Sequence, residues 1–203
     1  MIQAKRPDVP LTTISVIVGS IREGRFAEKP AHWIHRHLQG RSNLDARLLD
    51  LRDFPMPFFA ESEPPLMSDR PPYANEVVRR WTAEIARSDG FIVVCPEYNH
   101  GYPAVLKNAF DYVYQEWNRK PIAFVAYSGG GGANGVQQLR QVAVELQMTP
   151  IRPWVRVSSD TVMAHFYGGD VDAGLTQLDA EAGTMIDDLL WWTSALTHAR
   201  TQT

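Results

Sequence analysis

Residues 12–25 read TTISVIVGSIREGR. Thr12 to Gly19 are β-branched and apolar almost without a break, the pattern of a strand buried on both faces in a parallel sheet, and Gly19 ends it. Ser20-Ile21-Arg22-Glu23-Gly24-Arg25 then leads straight into a segment with Phe26, Ala27, Pro30, Ala31, Ile34 and Leu38 at mostly helical spacing. Leu44 to Leu51 alternates apolar residues with Asp45, Arg47 and Asp50, as an edge strand does, which completes a first βαβ unit.

The same rhythm continues. The spacing predicts a helix over 74–87 on the stripe Val77, Val78, Trp81, Ile85 and Ala86, then a second buried strand over 90–96, GFIVVCP. Pro103 opens the next helix, since proline at the first helical position loses no hydrogen bond, and Val105, Leu106, Ala109, Phe110 and Val113 form its stripe. A strand over 120–128, a flexible loop at 129–132, a helix over 136–146 and a last strand over 150–157 follow. An irregular segment over 158–174 precedes a final helix from Thr176 to about Ala199. Strands alternating with helices in this way specify an α/β fold, an open parallel sheet with helices on both faces. Residues 52–73 break the rhythm. They hold Pro55, Pro57, Pro64, Pro65, Pro71 and Pro72, so a long loop is expected there, and since loops of that length in compact domains are usually functional or disordered, a role beside the active site is expected of it.

With 203 residues, 44% of them hydrophobic, the chain is long enough to bury roughly 70% of the surface its unfolded form exposes, so a single domain over 1–203 is expected. The formal net charge of -3 supplies no basic field to gather a polyanion, which argues against a nucleic-acid partner. Cys95 is the only cysteine, so an internal disulfide framework and a cysteine zinc site are both excluded. Met1 to Leu11 carries Lys5 and Arg6 where a signal peptide needs an apolar run, and no later stretch has the length of a membrane span. A cytoplasmic protein without membrane association is expected.

In such a sheet, ligands bind outside the carboxyl ends of the strands, where strand order reverses. The turn after the first strand offers backbone N–H groups, a hydroxyl and two guanidiniums to a phosphate, but it lacks the lysine and spacing of a P-loop. A glycine-rich turn with solvated arginines would look the same. After the third strand, Pro96-Glu97-Tyr98-Asn99-His100-Gly101-Tyr102-Pro103 places aromatic and amide-like groups where a planar heterocycle would find both, or else forms a helix-entry turn around Asn99. Ser128-Gly129-Gly130 after the fourth strand offers a wall without side chains.

These residues also carry a resemblance. Through GSIREGR at 19–25, PEYNHGYPAVLKNAFDY at 96–112 and SGGGGANG at 128–135 with its following LRQVAVEL helix, the chain resembles the NADPH-dependent FMN reductase family of flavodoxin-like proteins over about residues 12–157. The resemblance implies a flavodoxin-like three-layer sandwich with a five-stranded parallel sheet in the order 2-1-3-4-5. It implies FMN as cofactor, NADPH or NADH as co-substrate and a homodimer or homotetramer. Carried over by position, it puts Ser20, Arg22 and Arg25 at the FMN phosphate with Phe26 beside them. Pro96, Glu97, Tyr98, Asn99 and His100 surround the isoalloxazine, and Ser128, Gly129 and Gly130 run along its other edge. No catalytic side chain is expected, because flavins perform hydride transfer themselves, and the acceptor is a small molecule such as a flavin or quinone.

Other signals are weaker. Gly130 to Gly135 fits G-x-G-x-x-G, but it follows the fourth strand and no strand-end acid stands about 20 residues on. His32, His35 and His37 do not share one helix face, so no metal is expected. Cys95 reads as packing, Trp191 and Trp192 as core, and Trp117, Trp191 or Trp192 alternatively as a subunit contact. Arg52 and Arg70 are candidates for reading a 2′-phosphate. A flavin-bound redox sensor or partner-binding protein, and a flavin-free dehydrogenase, stand as the alternatives.

Overall fold

The computed structural model describes residues 11–67 and 72–202. Its sheet is built from β1 (Thr12–Val18), β2 (Leu44–Asp50), β3 (Gly90–Pro96), β4 (Pro121–Tyr127) and two short pieces, β5 (Thr149–Pro150) and β6 (Val155–Val157). Every pairing is parallel, and the order is β2-β1-β3-β4-β5, with β6 also beside β4. This is the flavodoxin-like order implied by the resemblance. The expected last strand over 150–157 is therefore interrupted. Pro153 has no N–H to give the ladder, so the chain leaves β4 after Ile151, whose N–H reaches the Ile122 carbonyl at 3.0 Å, and rejoins it at Val155.

Period-two alternation in the central strands feeds two cores. Ile17, Phe91, Val93, Phe124 and Ala126 face α2 (Glu76–Arg87), α3 (Ala104–Asp111) and α4 (Ala133–Glu145). Ile14, Val16, Ile92, Val94 and Val125 face α1 (Glu28–Gln39) on the other side, together with the last helix. All seven residues of β3 and of β4 are buried, whereas six of the seven of β2 are only partly so, which marks β2 as the edge.

Residues 158–174, expected to be irregular, instead form α5 (Ser159–Tyr167) and begin α6 (Val171–Thr176), ahead of α7 (Asp179–Arg200). Local capping explains both helices. The Ser158 hydroxyl accepts from the Thr161 N–H at 3.2 Å, Gly168 ends α5 in the left-handed region, and the Asp170 carboxylate accepts from the Ala173 N–H at 2.9 Å. The tryptophans also depart from expectation. Trp117 is wholly buried and cannot serve a subunit contact, while Trp191 is 64% exposed and is not core. Among the described residues no group of His, Cys, Asp and Glu side chains could hold a metal, and no helix is long and apolar enough to cross a membrane. His35 bonds the Ala46 carbonyl and His37 the Asp179 carboxylate.

Candidate cofactor site

The loops after β1, β3 and β4 meet at the carboxyl end of the sheet. Gly19 makes the meeting possible: a Cβ there would lie 2.8 Å from the Val94 carbonyl, whose bond from the Gly19 N–H, at 2.9 Å, ties β1 to β3. Ser20, next in line, is buried and shares a 3.0 Å hydrogen bond with the Tyr98 hydroxyl. Arg22 lies with its guanidinium 5.6 Å from the centre of the Phe166 ring on α5. Phe26 is 1% exposed and meets Tyr127 edge to face at 4.9 Å, so it forms wall and not a polar contact.

Arg25 behaves differently from Arg22. It is 4% exposed, and its guanidinium donates to the Glu28 and Asp50 carboxylates and to the Ser20 carbonyl. Asp50 is partly buried, which would raise its carboxyl, but the bonds from Arg25 and from the Arg52 N–H outweigh burial and hold it below the usual carboxylate range. Arg52, a candidate for a 2′-phosphate, donates to Glu28 and to the Ile21 and Arg22 carbonyls instead. Arg70, the other candidate, lies outside the described residues.

The segment after β3 is a tight hairpin. Tyr98 and Gly101 exchange both backbone hydrogen bonds, at 2.8 and 3.0 Å, while Asn99 and His100 occupy the left-handed region at φ 51° and 67°. Positive φ at both central residues is what a two-residue hairpin of this hand demands, and asparagine accepts it readily. Glu97 points to α4, where its carboxylate accepts from the Asn134 and Gly135 N–H groups at 2.9 and 3.1 Å and from the Asn134 side chain at 3.0 Å. Its slight burial acts to raise its carboxyl, yet these bonds hold it below the ordinary range. Glu97 thus joins the hairpin to the start of α4, and Gln138 adds a 2.8 Å bond to the His100 carbonyl.

After β4, the Ser128 hydroxyl accepts from the Gly130 and Gly132 N–H groups at 2.9 and 3.0 Å, folding the glycine run back on itself. Two cavities open between these loops. Arg22, Arg25, Phe26, Pro96, Glu97, Tyr98, Ser128 and Gly129 of the expected set line one, of about 190 Å³, and Ser20, with Arg22 and Tyr98, lines its neighbour, of about 510 Å³. Asn99, His100 and Gly130 line neither. Other lining residues went unanticipated: Tyr127, Val162 and Phe166 in the smaller cavity, and Met56, Phe58, Val105 and Asn108 in the larger. For α5 a signal existed, Ser158 followed by Asp160 as a helix start. For the wall made by Met56 and Phe58 the signal was the length of the proline-rich loop, which suggests a role beside the active site, but the place of the loop is fixed by Asn108. Its side chain accepts from the Phe59 N–H at 2.8 Å and donates to the Pro57 carbonyl at 2.7 Å, pinning the proline-rich loop to α3.

The residues present fit a phosphorylated planar ring system. Phe26 and Ala27 are almost wholly buried, yet their backbone N–H groups have no acceptor among the described residues, the condition of an anion cradle ahead of a helix. A Cβ on Gly129 would meet no protein atom within 4 Å, so the fold does not require glycine there, and Gly129 lines the smaller cavity. Cys95 beneath the site is 1% exposed, and burial, aided by the charge of Glu97, pushes its thiol far above the usual range. It is a packing residue, not a redox thiol.

The family model for NADPH-dependent FMN reductases matches residues 12–162. An NAD(P)H-dependent FMN reductase of Schizosaccharomyces pombe is 38% identical over 152 residues, covering 74% of this chain and 76% of the relative. A quinone reductase of Pseudomonas putida is 33% identical over 143 residues, covering 67% and 72%. In structure, the flavoenzyme NAD(P)H:(acceptor) oxidoreductase FerB of Paracoccus denitrificans superposes with a TM-score of 0.69 at 24% identity, covering 91% of this chain and 98% of that one, a likeness of fold. With three quarters of its length matched and the loops that carry the motif gathered at one end of the sheet, the chain belongs to the NADPH-dependent FMN reductase family.

Proposed function

We propose that this protein is an FMN-dependent NAD(P)H oxidoreductase that passes a hydride to a planar acceptor of the quinone or flavin class. The observation that carries the reading is the pair of adjoining cavities, one walled by Gly129 beside the anion-ready turn and the other mainly apolar, with Arg22 and Tyr98 shared between them. FMN, when bound, supplies the hydride chemistry itself. The chain's own contribution is to hold and orient. Arg22 and the backbone N–H groups leading into α1 hold the phosphate, and Pro96, Tyr98, Ser128 and Gly129, which line the smaller cavity, flank the ring. Ser20 fixes the Tyr98 hydroxyl at the boundary of the cavities. Met56, Phe58, Ile21 and Val105 give the larger cavity the apolar surface that nicotinamide and then a quinone need. The named activity of the bacterial quinone-reductase relative supports the acceptor class.

A homodimer or homotetramer in the cytoplasm is part of the same reading, supported by the exposed apolar side chains Ile21 and Phe58 at the rim of the larger cavity and by Met163, Phe166 and Tyr167 on α5. The first test is spectroscopic. Purified protein supplemented with FMN and freed of unbound flavin is expected to keep a flavin spectrum, to bleach under anaerobic NADPH or NADH, and to recover on adding 1,4-benzoquinone. Failure to retain FMN would overturn the cofactor assignment, and bleaching without recovery would overturn the acceptor.

A further inference from the structure

The turn after β1 is gripped from behind by two arginines. All five N–H donors of Arg25 are spent on protein acceptors: Nε and Nη2 on Glu28 at 3.0 and 2.8 Å, Nη1 on Asp50 at 2.8 Å and on the Ser20 carbonyl, and Nη2 again on Asp50. Arg52 adds bonds to the Arg22 carbonyl at 2.7 Å, the Ile21 carbonyl at 3.4 Å and Glu28 at 3.1 Å. Three successive carbonyls, those of Ser20, Ile21 and Arg22, thus accept from one cationic pair. In a trans peptide the N–H points opposite to its carbonyl, so the N–H groups of Ile21, Arg22 and Glu23 turn away from the clamp, that of Arg22 towards the Ser20 hydroxyl at 3.4 Å. Arg22 of this turn lines both cavities, and Phe26, whose N–H has no acceptor among the described residues, lines the smaller one beside Gly129.

We propose that Arg25 and Arg52, held by Asp50 and Glu28, are positioning residues that orient the peptides of the phosphate-binding turn, and that the guanidinium meeting the phosphate is that of Arg22. The inference rests on the flavin reading above and refines the phosphate role that sequence position alone assigns to Arg25. Asp50 and Glu28 are negative charges close to an anion site, where Coulomb repulsion alone would have them weaken binding. As anchors of the clamp they strengthen it.

The test compares dissociation constants of FMN and of riboflavin, which lacks the phosphate, by flavin fluorescence quenching. Asp50→Asn is expected to weaken FMN by about tenfold, the size of one charge-assisted hydrogen-bond arrangement lost, and to leave riboflavin within about twofold. Unchanged or tighter FMN binding in Asp50→Asn would overturn the proposal, because it would mean that a freed Arg25 binds the phosphate directly. An equal loss for FMN and riboflavin would overturn it too, since that is what general loosening of the fold produces. Should Asp50→Asn not fold, Arg52→Lys at a more exposed position keeps the charge but replaces the fork by a single ammonium, and the same FMN-selective loss is expected. Arg22→Ala is expected to lose FMN selectivity outright. Wild-type protein that binds riboflavin but not FMN overturns the phosphate turn alone, whereas binding of neither flavin overturns the flavin reading on which it rests.

Discussion

Two glycines three residues apart have opposite reasons to be glycine. Gly132 has φ 83°, and a Cβ on it would lie 2.8 Å from both the Ala126 Cβ and the Tyr127 backbone nitrogen. Gly129 carries neither constraint. Gly132→Ala is therefore expected to cost about 1–3 kcal/mol of stability, read as a lower urea midpoint. Gly129→Ala should leave stability within about 0.5 kcal/mol of wild type while weakening FMN and riboflavin together, since its methyl stands at the cavity wall and meets no protein atom. A Gly129→Ala protein with normal flavin affinity would move the ring elsewhere. Lys120 poses a different question, one of pH. The residue is 6% exposed, and its ammonium donates to the Ile85 and Ala86 carbonyls at 2.8 and 2.9 Å and has its pKa lowered to about 8 by burial, with Arg200 adding repulsion and Asp89 and Glu116 opposing. Between pH 8 and its ordinary 10.5 the unfolded chain holds the proton that the folded chain has released. Stability therefore rises with pH through that window, by about 3 kcal/mol at most. The difference in urea midpoint between wild type and Lys120→Met should change in that sense from pH 7 to pH 10; a flat difference would show that the lysine titrates normally.

Among the elements, α5 is the one that matters most for the site and was least expected. Phe166 carries Arg22, and the His165 Nε2 lies 3.2 Å from the Gly24 carbonyl, so a helix read as irregular chain closes one side of the small cavity. Its start depends on one hydroxyl. Ser158→Ala should cost about 1 kcal/mol locally. Hydrogen exchange of the α5 amides is expected to quicken with the β1, β3 and β4 amides unchanged, and exchange that stays slow would mean that packing on Phe26, not the cap, holds the helix. Strands were easier to read because β3 and β4 are runs of apolar residues at all seven positions. α5 buries only Thr161, so its apolar pattern is weak and capping is its main local signal.

At the scale of the molecule, two cores on either side of one sheet hold the three ligand-facing loops in register. Trp81 anchors the core beneath α2, α3 and α4. It is wholly buried, donates to the Ala109 carbonyl at 2.8 Å and meets Phe54 and Trp117 edge to face. Trp81→Ala is expected to cost about 3–5 kcal/mol, while Trp191→Ala on the exposed face of α7 should cost no more than about 0.5 kcal/mol. Equilibrium urea unfolding checks both. A large effect at Trp191 would identify that face as buried in an assembly, a role considered for it from the sequence.

Sequence alone determined the alternation of strands and helices and the end of the sheet at which a ligand site is to be sought. Hydrophobic period, proline and glycine positions are local quantities, and the carboxyl ends of parallel strands must lie together once the strands pair. What only the tertiary structure decided was the division of labour within the site. Arg22 and Arg25 are three residues apart and chemically identical, but only Arg25 meets Asp50 and Glu28, because Asp50 arrives at the end of β2 and Glu28 at the start of α1. Glu97 stands in the same motif as Tyr98 yet turns to the start of α4. Which donors are free and which are already satisfied follows from partners distant in the chain, and pairwise distance in the folded state is the one property that neither spacing nor residue type contains.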